Sequence, residues 1–490
     1  MPDETNKGMH GQVIRYAMSS FARHMLSLLT SFVRAKLLAP ELYGIWVLVK
    51  TFPAYGSHLH LGTQAAMYYR LPKHIADGEQ QEVEAIEATS LWGTIAFNLV
   101  FCVAIVVSVL TFDFGSELEI GLLLACPVIL LTAYYEHINN RFKAMRLFDR
   151  LAVSHYLFAL FCLPATALLA WLYGLAGVLV ALILTFVATL AYLLRGHRAW
   201  WPRSGFDRGV FVQLIRMGFP IVILSVMSVF MMTSDRFLIV SFLGASDLGL
   251  YGLAVIVVQT VLKIPGVSRE VIEPETMAQA HSHHEVSYFE RFYGRPLLYI
   301  AFFVPVLIGG AAFTLEPVLL LALPEYAGVL PSAQILLFGA YFLALTLPSR
   351  GVIVAAGKQT RLALYMLFPL VLGLGLSAAV LAAGFGIEGV AFAKGVTFAA
   401  FYLAINLLIV RSFPHFGGVV LKYIAITTLL FVYMLLLAYA CSAVGHDWHF
   451  VYRSLARTTL FMVGVVPSVL LALRLGWISL PRRTPAPSVA

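Results

Sequence analysis

Four basic residues lie within long apolar segments of the chain, where a charge is costly: Arg23, Lys50, Arg236 and Lys394. An ionisable side chain at the centre of a bilayer costs about 3 kcal/mol on insertion scales, so each should face a wet cavity or a charged partner. Asp235 is the only acid expected at similar depth. Because arginine and lysine suit phosphate oxygens, the excess of cations favours an anionic substrate. We predict that the four cations bind substrate and that Asp235 is the candidate for ion coupling.

These residues also have structural alternatives. Arg236 could form an ion pair with another helix, since neighbouring residues such as Asp235 point about 100° away on a helix. Lys394 could extend its charge to the membrane surface, although its mid-span position favours a cavity. Arg34 is expected to extend in this way because it lies near the end of the first predicted helix.

The first predicted helix presents its polar residues on one face. They recur every three or four positions, the spacing of a helical stripe, at Arg15, Ser19, Arg23, Ser27, Thr30 and Arg34. The second predicted helix contains Lys50 and several residues that interrupt helices, Pro53, Gly56 and Gly62. These two helices are the most polar of the chain, and a soluble amphipathic hairpin is their alternative interpretation.

The composition requires a membrane around most of the chain. The 490 residues are 60% hydrophobic and 12% charged, with a mean hydropathy of +0.86, which no water-soluble interior could accommodate. A bilayer core about 30 Å thick needs about 20 apolar residues per helix. The sequence predicts fourteen helices, near residues 13–38, 42–66, 91–111, 119–138, 151–172, 175–195, 214–243, 247–268, 297–316, 327–347, 362–383, 387–411, 420–442 and 455–475.

The basic residues indicate the orientation of these helices. With both termini in the cytoplasm, most of the 33 lysines and arginines fall on the cytoplasmic side, as the positive-inside rule requires. The net charge of +8 therefore needs no nucleic-acid partner.

The four cysteines have unrelated spacings and predict neither disulfides nor a metal site. The cluster His281–Glu285 is interpreted as part of a solvated loop, with metal binding as its alternative.

Several short motifs recur about 210 residues apart in the same order. Tyr43-Gly44 recurs as Tyr251-Gly252, Arg150-Leu151 as Arg361-Leu362, and Gly174-x-x-Gly177 as Gly386-x-x-Gly389. Ordinary helix-end sequences are the alternative explanation. A duplication predicts an all-α polytopic membrane protein with two six-helix pseudo-repeats around a central cavity, followed by two further helices. The predicted divisions are lobes at 1–198 and 214–411, a cytoplasmic loop at 199–213, two C-terminal helices at 412–480 and a disordered tail at 481–490.

Other segments carry a family resemblance. They are Leu38-Ala-Pro-Glu-Leu-Tyr-Gly44, Asp235-Arg236, Phe242 to Gly252, and Ala356-Gly-Lys-Gln-Thr-Arg361. The chain resembles the polysaccharide transporter branch of the multidrug, oligosaccharidyl-lipid and polysaccharide exporter superfamily, which includes O-antigen flippases. Ala39 departs from the glycine usual in the first turn. The resemblance implies two six-helix lobes around a central cavity, alternating access and a polyprenyl-pyrophosphate-linked sugar as cargo.

These observations predict a flippase of the bacterial inner membrane. Its expected cargo is an oligosaccharide linked to an undecaprenyl-pyrophosphate type lipid, moved to the outer leaflet for cell-surface polysaccharide biosynthesis. Flipping breaks no bond, so we expect no catalytic residue, cofactor or bound metal. The expected partners are this cargo, membrane lipids and a proton or sodium ion, and the chain is expected to be a monomer.

Two other functions remain open. The same fold could export drugs or metabolites, because fold does not fix cargo. Exporters of cationic drugs would be expected to place carboxylates in the cavity, which the excess of cations disfavours. A polytopic glycan polymerase or ligase would need positioned acid and base groups, commonly on a sizeable external loop. The longest predicted external connection, Ser442 to Arg453, is short.

Overall fold

The computed structural model describes residues 2–195, 204–278 and 286–477, and within these ranges the secondary structure is helical, without strands. Three short segments have π or 3₁₀ geometry: Glu290–Gly294, Pro324–Val329 and Pro414–Phe416. The α-helices are α1 (Pro2–Val49), α2 (Thr51–Gly56), α3 (Thr63–Ala76), α4 (Gln80–Thr111), α5 (Ser116–Ala144), α6 (Phe148–Leu194), α7 (Arg208–Phe242), α8 (Ala245–Ala278), α9 (Val286–Phe289), α10 (Arg295–Ala322), α11 (Leu330–Ala355), α12 (Gln359–Ala382), α13 (Gly386–Ser412), α14 (Gly417–Ser442) and α15 (Phe450–Arg474).

Three of the sequence predictions lie outside the described residues. They are the first part of the loop joining the predicted lobes, at 199–203, the histidine cluster at 281–285, and the disordered tail at 481–490.

Eleven of the described helical segments are long and apolar enough to cross a membrane, which confirms a multi-pass α-helical membrane protein. They correspond to α4 to α8 and α10 to α15. The 47 residues of α6 form two helical limbs, because Gly174 has φ 57° and ψ −130°, which are not helical. The limbs correspond to the two helices predicted at 151–172 and 175–195, and each is long enough to cross an apolar core about 30 Å thick. None of the helices α1, α2 and α3 is among these eleven segments. The count of fourteen spans therefore stays a prediction.

The second predicted helix, over residues 42–66, is not continuous. It is divided into the end of α1, the short α2, a turn, and the start of α3. The turn ends at Gly62, whose φ of 93° is accessible to glycine but strained for most residues. The backbone of Gly62 packs directly on that of Gly218, leaving no room for a Cβ atom. The hydrophilic segment that follows, residues 70–90, is largely helical, in α3 and α4.

The recurring motifs have matching local structures. Gly174 and Gly386 both have positive φ, 57° and 61°. Arg150 and Arg361 each occupy the third position of a helix, α6 and α12 respectively. Tyr43 and Tyr251 are both fully buried. The similar backbone conformation and burial at these matching positions support a duplication, because unrelated helix-end sequences would not be expected to share both.

The chain forms two compact units, residues 1–256 and 257–490. In the first unit, α1 packs along α6, while α3 packs on α4, α5 and α7. In the second, α13 packs between α11 and α12, and α10 packs against α11 and α15. The division into six, six and two helices stays a prediction.

Candidate functional site

A kink in α1 sets up the candidate site in the first unit. Ala39 has φ 55° and ψ 169°, and Pro40, which has no N–H to donate, begins the second limb of the helix. This limb ends at Val49, and Lys50 joins it to α2 with helical backbone angles, φ −64° and ψ −11°, and with its N–H donated to the Trp46 carbonyl at 2.9 Å. The Lys50 side chain is half-buried.

Arg236 reaches the junction of α1 and α2 from α7. Its Nη1 donates to Thr51 Oγ1 at 2.9 Å and lies 3.4 Å from the carbonyl oxygen of Val47. Thr51 Oγ1 itself donates to the Val47 carbonyl oxygen at 3.0 Å, so the guanidinium, the hydroxyl and this carbonyl form one polar group. Arg236 is buried, and the contacts found for it are with α1 and α2, whereas the sequence suggested an ion pair with another helix as one alternative.

Asp235 has a separate partner. The Tyr251 hydroxyl donates to Asp235 Oδ2 at 2.5 Å, and both side chains are buried. Asp235 also lies within electrostatic range of Arg236. The carboxylate is therefore stabilised by a hydroxyl donor from α8 and by the neighbouring guanidinium.

Arg34 joins these residues, contrary to the expectation that it extends to the membrane surface. It is buried, with Cζ 4.8 Å from the centroid of the Trp46 ring and Nη2 3.5 Å from Cys162 Sγ. Both Arg34 and Arg236 lie within electrostatic range of Lys50. We call Arg34, Lys50, Arg236 and Asp235 the basic cluster. It holds three cations and one acid, a balance that favours an anionic ligand.

Arg34 was not predicted as a site residue, because the prediction used only its position near the end of one helix. The available signal was its membership of the polar stripe of α1. Trp46 and Cys162, which cover it, lie on the second limb of α1 and on α6, and their proximity depends on the kink at Ala39.

Arg23 lies elsewhere along α1. Eleven residues separate it from Arg34, about 16 Å at 1.5 Å per residue. Its Nη1 donates to the Tyr135 hydroxyl at 3.1 Å, and its Cζ lies 4.3 Å from the centroid of the Phe158 ring. The Arg23 guanidinium is therefore engaged by α5 and α6.

Other members of the polar stripe make similar contacts. Arg15 forms an ion pair with Asp149 at 2.8 Å, and Ser19 Oγ lies 3.2 Å from His155 Nδ1. The stripe thus supplies polar packing between α1 and α6.

Lys394 belongs to the second unit. It lies on α13 and is buried, with Nζ 6.0 Å from the centroid of the Phe398 ring. A lysine buried in a transmembrane helix needs compensating polar contacts or a ligand.

The long apolar helices and the charges buried among them define a multi-pass membrane protein with a transporter fold. Solved structures share this fold. The lipid II flippase MurJ, in an inward closed conformation, is similar at 13% identity with a TM-score of 0.65, covering 94% of this chain and 99% of that one. A multidrug resistance MATE family transporter of the MOP superfamily, in an inward-facing conformation, is similar at 13% identity with a TM-score of 0.64, covering 86% of this chain and 98% of that one.

A variant of the Vibrio cholerae MATE transporter VcmN gives a TM-score of 0.57 at 15% identity, covering 83% of this chain and 97% of that one. The chain belongs to the polysaccharide biosynthesis protein family, whose sequence pattern matches residues 11–268, a range that includes the basic cluster. No curated protein matches the chain. Family and fold together support a flippase or exporter.

Proposed function

We propose that this protein flips a polyprenyl-pyrophosphate-linked oligosaccharide from the cytoplasmic to the outer leaflet by alternating access, for cell-surface polysaccharide biosynthesis. The observation that carries the proposal is the basic cluster, in which Arg34 and Arg236 are buried beside a half-buried Lys50. Such a set of charges is costly within a membrane protein, and a multiply charged anion offsets that cost.

A pyrophosphate is the anion that suits these side chains. It carries several charged oxygens, to which arginine donates in a planar fork and lysine acts as a compact charge. Lys50 is the accessible member and supplies the direct contact in this proposal. Arg34 and Arg236 supply positive potential from behind it, while the apolar lipid tail stays in the bilayer and no bond is broken.

The remaining site residues extend this proposal. Lys394 is a further cation for the charged part of the cargo, and Asp235 is the candidate for coupling to a proton or sodium ion. Arg23, which the sequence assigned to the cargo, contacts Tyr135 and Phe158, and in this proposal it holds α1 against α5 and α6. The protein acts in this proposal as a monomer in the bacterial inner membrane, with both termini in the cytoplasm.

The test uses purified protein in liposomes that contain a polyprenyl-pyrophosphate oligosaccharide. Protein should accelerate movement of the cargo between leaflets, and recovered cargo should be chemically unchanged, which separates a flippase from a glycan polymerase or ligase. Lys50→Ala should slow flipping at least tenfold, since a charge-assisted contact contributes about 1.5–3 kcal/mol. Lys36→Ala is the matched control, because Lys36 is an exposed lysine on α1. Equal rates for both variants would contradict the role of the cluster.

Export of a cationic drug is the second candidate, favoured by the structural likeness to multidrug resistance transporters. It would need a carboxylate for the drug, and the buried Asp235 already accepts a hydrogen bond from Tyr251. Drug accumulation in the same liposomes, without movement of the lipid-linked sugar, would favour this candidate over ours.

A further inference from the structure

A separate cavity of about 620 Å³ lies within the second unit, among α10, α11, α13, α14 and α15. Its walls are mostly apolar and rich in aromatic rings, including Phe338, Phe342 and Phe431. Two lining residues are largely exposed, Phe392 at 62% and Tyr439 at 79%. The cavity therefore opens to the surroundings of the protein beside these two rings.

One end of the cavity is basic. Arg457 lines it and is half-buried, with Nε donating to the Val444 carbonyl at 3.1 Å and Nη2 donating to the Ser442 carbonyl. The nearby Arg453 is already paired with the carboxylate of Glu316. In the part of the chain that the structure describes, Arg457 forms no ion pair. Its charge is thus available to an anion at the end of an otherwise apolar cavity.

The cavity has the depth of one bilayer leaflet. On α14 its lining runs from Ser442, beside Arg457, to Phe431. These eleven steps span about 16 Å at 1.5 Å per residue, close to half of an apolar core about 30 Å thick. Exposed aromatic residues follow Ser442, including Trp448 and Tyr452, as is common where a helix meets the headgroup region.

We infer that this cavity binds a phospholipid from the surrounding bilayer, with one acyl chain between α11, α13 and α14 and the lipid phosphate at Arg457. An apolar channel one leaflet deep with a single cation at its interfacial end matches this chemistry. The bound lipid fills the space between α14 and its neighbours and so stabilises the packing of the C-terminal helices. The inference does not depend on the cargo, because it concerns a resident lipid of the second unit.

Two variants of the full-length protein separate the acyl-chain site from the phosphate site. Ala399→Phe places a ring in the cavity from α13, where Ala399 is a lining residue. Arg457→Gln removes the charge but keeps a donor for the carbonyls of Ser442 and Val444. The controls use the same helices outside the cavity: Leu436→Phe on the exposed side of α14, and Arg474→Gln at the far end of α15.

The measurement is native mass spectrometry of delipidated protein titrated with phosphatidylglycerol, with size-exclusion profiles as the check of folding. Wild type and both controls should retain one lipid. Ala399→Phe and Arg457→Gln should each bind at least tenfold more weakly. Absence of a retained lipid in wild type, or unchanged binding in a folded Ala399→Phe variant, would overturn the inference. Tighter binding of polyprenyl phosphate than of phosphatidylglycerol would also overturn it, because the cavity would then serve a cargo tail.

These outcomes are independent of the proposed function, since no transport is measured. A protein that flips no oligosaccharide can still retain the phospholipid, and a flippase can fail to retain it.

Discussion

Nη1 of Arg236 donates a hydrogen bond to the hydroxyl of Thr51, a residue 185 positions earlier in the chain. The bond joins α7 to the first residue of α2, directly after Lys50. Arg236 thereby fixes the helical segment that carries Lys50 against α7. The two cations have different roles in this arrangement: Arg236 is a positioning residue and Lys50 is the accessible one.

Replacing Arg236 should therefore destabilise the fold. Arg236→Met removes the charge-assisted hydrogen bond to Thr51, which contributes about 1.5–3 kcal/mol, and it also takes away the cation within electrostatic range of the buried Asp235. Thr51→Val should cost about 1–3 kcal/mol, because at similar volume it removes the hydroxyl that accepts from Arg236 and donates to the Val47 carbonyl. Thermal unfolding of the purified protein measures both, with Arg474→Met, at an exposed position, as control. Equal melting temperatures for Arg236→Met and the control would contradict the positioning role.

Asp235 gives a second prediction, which concerns coupling. If Asp235 carries a proton or sodium ion, Asp235→Asn should abolish the dependence of flipping on an ion gradient while exchange of cargo at equilibrium continues. Tyr251→Phe is the matched variant, since it removes the donor to the carboxylate but keeps the carboxylate itself. Flipping rates in liposomes with and without proton or sodium gradients measure the effect. Unchanged gradient dependence in Asp235→Asn would assign the acid to structure alone.

The long apolar helices could be predicted from the sequence because their signal is local. About 20 consecutive apolar residues suffice to predict a span, and the bend of α6 at Gly174 follows from a single glycine. The break between residues 57 and 62 could not be predicted in the same way. Pro53, Gly56 and Gly62 indicated bending points in one helix, but the close approach of Gly62 to Gly218 depends on α7.

The candidate site was predictable only in part, for a similar reason. The free-energy cost of placing a charged side chain in the membrane identified Lys50, Arg236 and Asp235 as unusual residues. It could not distinguish Arg23, which is engaged by Tyr135 and Phe158, from the cluster, because those rings come from α5 and α6. Arg34 was assigned to the membrane surface although the fold buries it against Trp46. The deciding neighbours lie on other helices or, for Trp46, across the kink of α1.

Gly44 and Gly249 lead to a third prediction. A Cβ atom on Gly44 would lie 1.8 Å from the carbonyl oxygen of Ala245, and one on Gly249 would lie 1.9 Å from that of Pro40. Both clashes are with backbone, so relief requires the end of α1 to separate from the start of α8. We expect Gly44→Ala to abolish correct folding, measured as loss of monodisperse protein after purification.

The control for this prediction is Gly375→Ala on α12. A Cβ atom there meets no neighbouring atom within 4 Å, and alanine favours a helix by up to about 1 kcal/mol over glycine. The Gly375→Ala protein should therefore be as stable as wild type or slightly more stable. A Gly44→Ala protein that behaves like this control would contradict the close packing of the two backbones.

Arg23 and Lys50 should respond differently to mutation, although the sequence assigned them one role. Arg23→Gln removes a cation–π contact and a charged hydrogen bond, so it should lower stability by about 1–3 kcal/mol. Phe158→Leu should show the same loss in part, and the double variant should be less than additive, because the two side chains share one contact. Flipping by folded Arg23→Gln protein should stay within about threefold of wild type, because the guanidinium contacts Tyr135 on α5 and Phe158 on α6.

Lys50→Ala should show the opposite pattern, with a nearly unchanged melting temperature and slow flipping, because the charge of a half-buried lysine contributes more to a ligand than to packing. Thermal unfolding and liposome flipping, measured on the same preparations, give both quantities for each variant. If Arg23→Gln instead lost flipping at full stability, the guanidinium would have to leave Tyr135 and Phe158 during transport, and Arg23 would then contact cargo. The comparison thus distinguishes a stripe that holds α1 against α6 from one that the substrate uses.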